Sequence, residues 1–139
     1  MSHCALPETL PARLPPTRAA SADAIGVLVR RVLSGMVSYP VPVQRRQSQR
    51  TPYPQLVRAQ AVDPYTLAPQ DEPLVVVGKY LSEHGFGFFH NVPLAHRFVA
   101  ITLEAPDAPP VRLLLDVSWC RFTRLGWYES GGRFLRVVD

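Results

Sequence analysis

The feature that most constrains this chain is a series of six short segments between residues 55 and 137, each apolar or alternating and each bounded by turn residues. They fall at about 55–62 (QLVRAQAV), 73–80 (PLVVVGKY), 85–90 (GFGFFH), 97–104 (RFVAITLE), 111–122 (VRLLLDVSWCRF) and 125–137 (LGWYESGGRFLRV). In 97–104, Phe98, Ala100 and Thr102 face one way while Val99, Ile101 and Leu103 face the other, the two-residue period of a strand. Asp63-Pro64, Asn91 to Pro93 and Glu104 to Pro110 supply the turns between them. Hairpin-length connections with no later helical pattern predict an all-β class, a small six-stranded antiparallel β-barrel or strongly curled sheet.

Upstream the text changes character. Pro7, Pro11, Pro15 and Pro16 leave little in residues 1–20 that can pack, so that stretch reads as a mobile tail. A helix is predicted over 21–37: Ser21 can cap, Asp23 sits in the first turn, and Ile25, Leu28, Val29, Val32 and Met36 recur at helical spacing. Arg30 and Arg31 occupy the opposite face, as expected of a helix that covers an apolar patch. Residues 38–54, with their prolines and arginines, read as an extended loop ahead of the barrel at 55–139.

Charge is unevenly placed. Residues 1–60 hold eight arginines against Glu8 and Asp23, whereas residues 61–139 hold seven basic against nine acidic groups. An anionic partner is therefore drawn to the first part. The longest apolar runs, Leu74 to Val77 and Leu113 to Leu115, are far shorter than the roughly 20 residues of a membrane span. With no continuous apolar segment near Met1, the expected address is the cytoplasm. Cys4 and Cys120 lie in unlike settings, and both are expected to be reduced thiols. His84, His90 and His96 recur every six residues, but the Asn91 to Pro93 turn breaks the spacing, so no metal site is expected. No nucleophile elbow or phosphate-cradling glycine loop argues for an enzyme.

Two spacings carry chemistry. Arg46 and Arg50 stand four apart in RRQSQR, and the turn Tyr80-Leu81-Ser82-Glu83-His84-Gly85 follows thirty residues later. A guanidinium is a planar fork that grips a phosphate or a guanine edge with two parallel hydrogen bonds. Two forks on one segment suit the capture of a compact anionic nucleotide.

This order, R-x-x-x-R, then a strand, then S-x-x-G on a hairpin, then strands ending in VSWCRF and GWYESGGRF, resembles the PilZ domain family of bacterial cyclic di-GMP receptors. The resemblance runs from about Arg45 to Val138 and implies a PilZ-like barrel that binds cyclic di-GMP and passes the signal to a downstream protein. It places Arg46 and Arg50 in the first motif and Ser82 and Gly85 in the second. Tyr80 stands where the family has aspartate or asparagine. A carboxylate there contributes about 1.5–3 kcal/mol by accepting from guanine N–H groups. An aromatic face beneath a base contributes about 1–3 kcal/mol, so Tyr80 is a candidate replacement. Arg45, just ahead of the motif, resembles the variant that binds a stacked ligand dimer. The implied ligand set is thus Arg45, Arg46, Arg50, Tyr80, Ser82 and Gly85, with no other cofactor.

Two other readings compete. Tyr80 motivates a PilZ-like protein–protein adaptor that has lost the nucleotide. Arginines beside aromatic residues also suit a barrel for single-stranded nucleic acid, although the barrel segment is net acidic.

Overall fold

The computed structural model describes residues 19–34, 50–105, 108–123 and 125–138. Among them the chain forms one helix, α1 (Ala19–Ser34), and seven strands: β1 (Thr51–Pro52), β2 (Leu56–Ala61), β3 (Leu74–Leu81), β4 (Gly85–His90), β5 (Phe98–Ala105), β6 (Ala108–Phe122) and β7 (Tyr128–Val137). The sheet order is β1-β3-β2-β5-β6-β7-β4, and β4 pairs back onto β3. Strands β2 to β7 therefore close into the expected six-stranded antiparallel barrel, in which every strand has two neighbours and no edge is left open.

The alternation seen at 97–104 sets two layers. Val99, Ile101 and Leu103 point inward to a core shared with Phe86, Phe88, Leu113, Leu115 and Phe134. Phe98 and Ala100 point outward, yet they too are buried, in a second cluster with Val62, Leu114, Leu135 and Val138. Ile25, Val29 and Val32 of α1 join the inner core, while Arg30 stays exposed, so the helix lays its apolar stripe on the barrel.

Several boundaries differ from expectation. Helix α1 spans Ala19–Ser34, so Ser21 lies inside it and Asp23 falls past the first turn; residues 35–37 of the expected helix lie outside the described residues. Helix ends are only weakly specified by local sequence, because packing of the apolar stripe supplies most of the stability. Met36 and the tail at 1–18 lie outside the described residues. Strand β1 occupies the end of the stretch read as loop, since two residues show no periodicity. Strand β6 begins at Ala108 despite Pro109 and Pro110, which are tolerated at the start of a strand. The last segment opens with a hairpin bend in place of a strand. There Thr123 donates its N–H to the Trp127 carbonyl at 2.7 Å and Gly126 takes φ +82°. Cys120 is disulfide-bonded, against the expectation of a reduced thiol. That expectation rested on sequence setting, which does not report distance in the fold.

Candidate ligand-binding site

The β3–β4 turn is built by its own serine. Ser82 is only 4% exposed. Its backbone N–H donates to the Gly85 carbonyl at 3.0 Å, and its Oγ accepts from the N–H groups of His84 (3.2 Å) and Gly85 (3.1 Å). This serine is engaged by the turn that it shapes. Gly85 is required by close packing: a Cβ there would sit 2.2 Å from the Gly132 carbonyl oxygen and would push β4 off β7. Next to them, Glu83 pairs with Arg30 of α1 at 2.9 Å, which ties this turn to the helix.

Beside the turn, β1 brings the two sequence motifs together. Thr51 pairs with Leu81 and Pro52 with Tyr80. Arg50, directly ahead of Thr51, holds its Cζ 4.6 Å from the centroid of the Tyr80 ring, within the range of a cation–π contact. Among the described residues no carboxylate pairs with Arg50. A register shift between Gly78 and Tyr80 marks a bulge at Lys79, and bulges of this kind re-aim the neighbouring side chain. Arg45 and Arg46 lie outside the described residues.

From Tyr80 a continuous floor runs across four strands. The Tyr80 ring lies against Gly87, where a Cβ would meet ring carbons at 2.3 Å. Gly87 pairs with Gly131 on β7, and Gly131 pairs with Trp119 on β6. The Trp119 indole in turn lies against Gly131, where a Cβ would meet it at 2.5 Å. Two aromatic rings thus rest on two adjacent glycines, and only the missing side chains allow it. Arg121 places its Cζ 6.0 Å from the Trp119 ring, and exposed Arg133 stands opposite Gly85. The floor offers π faces for planar rings, with guanidinium groups at both ends for anions.

A row of charge borders the floor. Glu129, with its side chain 5% exposed, accepts from Lys79 Nζ at 2.5 Å and from Arg121 Nη2 at 2.9 Å. Burial pushes its carboxyl up, but hydrogen bonds from Lys79 and Arg121 and their positive charges outweigh this and hold it below the ordinary value. Lys79 also sits 5.6 Å from the Phe89 ring.

The sequence reading identified Arg50, Tyr80, Ser82 and Gly85, and the fold brings all four to one end of this floor. It did not identify Gly87, Gly131, Trp119, Arg121 or Arg133 as part of the same surface. The available signal was the pair of glycine-containing strand segments, GFGFF and ESGGRF, where a missing side chain leaves room for a neighbouring ring. Among the histidines, His90 is buried, with Nε2 2.7 Å from the Ser130 hydroxyl and Nδ1 2.6 Å from the Val92 carbonyl. Burial holds its pKa below the ordinary value, with the Val92 contact opposing. His96 lies 3.6 Å from Asp71.

No protein-family profile matches the chain, and no curated protein matches it. Among solved structures, the inhibitor of motility MotI/DgrA of Bacillus subtilis is similar, with a TM-score of 0.50 and 13% sequence identity over 70% of this chain and 45% of that one. The shared feature is the PilZ-like barrel fold. The match spans less than half the length of that protein.

Proposed function

We propose that this chain is a cyclic di-GMP receptor that passes the signal to another protein. The observation that carries this reading is the meeting of the two motifs: the last arginine of R-x-x-x-R stacks on Tyr80 beside the Ser82–Gly85 turn. Cyclic di-GMP bears two phosphates and two guanines with O6 and N7 acceptors, so it matches a surface of guanidinium forks and π faces. In this proposal Arg50 swings from Tyr80 to a phosphate or a guanine edge, Tyr80 and Trp119 receive the bases, and Arg45 and Arg46 close over the ligand. Ser82 and Gly85 act by holding the turn. Because Glu83 of that turn pairs with Arg30, a ligand that pulls on the turn also loads α1, which supplies a route to a partner.

Calorimetry with cyclic di-GMP, with GTP and the linear dinucleotide as controls, tests the reading. Binding to the wild-type chain is expected, with Arg50→Ala weakening it about tenfold to a hundredfold, the worth of a charge-assisted contact of about 1.5–3 kcal/mol. Absence of heat with the wild-type protein overturns it. One observation favours the adaptor reading instead: Tyr80 has Gly87 against its ring and Arg50 stacked on it, so no base reaches that ring until Arg50 moves. If the wild type is silent and Tyr80→Asp acquires affinity, the adaptor reading holds. Tighter, salt-dependent binding of single-stranded oligonucleotides would favour the nucleic-acid reading.

A further inference from the structure

Beyond the row of Lys79, Glu129 and Arg121, the outer surface of the barrel becomes apolar. Val77 on β3 stands opposite Leu56 of β2 on one side and Phe89 of β4 on the other. With Leu125 and Trp127 of the β6–β7 hairpin, Val77 and Phe89 line a hollow of about 350 Å³. Leu125 is 86%, Leu56 72% and Trp127 39% exposed. A contiguous apolar surface with a charged border marks an interaction site.

The fold narrows what can bind there. Strands β2 to β7 form a closed ring, so a partner cannot dock on them by adding a strand to an open edge, and a helix laid into the hollow is a mode that needs no backbone pairing. From β2 across β3 and β4 to β7 the surface extends about 14 Å at the usual spacing between strands. That length corresponds to about two and a half turns of α-helix. The border is cationic: the Lys79 and Arg121 side chains are 41% and 67% exposed, whereas the Glu129 carboxylate between them is 5% exposed. A second copy of this chain meeting the surface would bring cationic border against cationic border, which disfavours self-association.

We propose that this hollow is the docking surface for an amphipathic helix of another protein, one whose apolar stripe is bordered by acidic residues. The proposal rests on the partner half of the functional reading and is independent of its nucleotide half. The test uses two synthetic helical peptides with the same leucine and phenylalanine stripe, one flanked by glutamate and its twin by lysine, titrated into the full chain by fluorescence anisotropy. The glutamate-flanked peptide should bind about tenfold tighter or more. Leu125→Glu and Trp127→Ala should each remove that binding while leaving the unfolding midpoint and the cyclic di-GMP titration unchanged. Equal affinity for the twins, or no binding of either, overturns the proposal. So does concentration-dependent self-association abolished by Leu125→Glu, which would make a second copy the occupant. Because the peptide and nucleotide titrations are separate, loss of one reading leaves the other measurable.

Discussion

The barrel carries apolar residues on two stretches of its outer surface, and it treats them in opposite ways. Over β5, β6 and β7, Phe98, Ala100, Leu114 and Leu135 are covered by the chain itself, with Val62 and Leu67 packed against them. The cover is a turn fastened at Asp63, whose carboxylate accepts from the N–H groups of Tyr65 (2.8 Å) and Thr66 (2.9 Å). Those bonds hold the carboxyl below its ordinary pKa. Leu67 adopts φ 64° within this turn, a left-handed conformation that costs a residue with a side chain about 1–2 kcal/mol. It persists because the side chain reaches the cluster beneath. Over β3, β4 and the β6–β7 hairpin, no comparable turn exists among the described residues, and Leu125 and Trp127 face solvent. An apolar outer face that the chain closes is core. The other face carries no such cover among the described residues, and it is the one proposed above as a docking surface.

This contrast can be broken by measurement, beginning with the largest effect. Asp116 borders the covered face, where it takes Arg97 Nε at 2.6 Å and Nη2 at 3.0 Å, with the two side chains 16% and 6% exposed. Asp116→Ala strands a buried guanidinium and should cost about 3–5 kcal/mol in denaturant unfolding. Arg121→Ala, beside the open face and 67% exposed, should cost about 1 kcal/mol or less by the same measurement. Leu114→Ala and Leu135→Ala should each lose about 2–5 kcal/mol. Leu56→Ala and Leu125→Ala on the open face should stay within about 0.5 kcal/mol. Equal losses on the two faces would show that the open surface is structural core.

Smaller effects are expected within the aromatic floor of Tyr80, Gly87, Gly131 and Trp119. Gly131→Ala forces the Trp119 indole off β7 and should cost about 1–3 kcal/mol, with a red shift in tryptophan emission as the ring gains solvent. Acid titration gives the smallest signal. The folded-state pKa values of both His90 and Glu129 lie below their ordinary values, so each contributes stability that is lost as pH falls. For His90 the loss starts below about pH 6.5 and for Glu129 below about pH 4.3. Unfolding midpoints measured against pH should show both limbs. His90→Gln should flatten the first and Glu129→Gln the second.

Much of the fold was legible. Alternation at 97–104 predicted both the strand and its two faces, because side-chain direction in a strand has a fixed period. It could not show that both faces are buried, since burial of the outer one depends on the turn at 63–68 folding back over Leu114 and Leu135. The aromatic floor was legible only at one end. Arg50, Tyr80, Ser82 and Gly85 were named from motif spacing. Trp119 could not be placed on the floor from local sequence, because its neighbours Gly131, Gly87 and Tyr80 come from three other strands. The Ser82 hydroxyl also shapes the turn itself, which motif spacing does not report.

Local sequence by itself determined that six strands fall between residues 55 and 137, that a helix precedes them, and that arginine is concentrated ahead of the barrel. These follow from backbone sterics, turn chemistry and side-chain periodicity, which act over a few residues. The closure of β4 onto β3, the pairing of Gly87 with Gly131, and the choice of which apolar face is covered were decided only by the tertiary structure. Each depends on register between segments distant in the chain, where one residue of slip would turn every side chain to the other face.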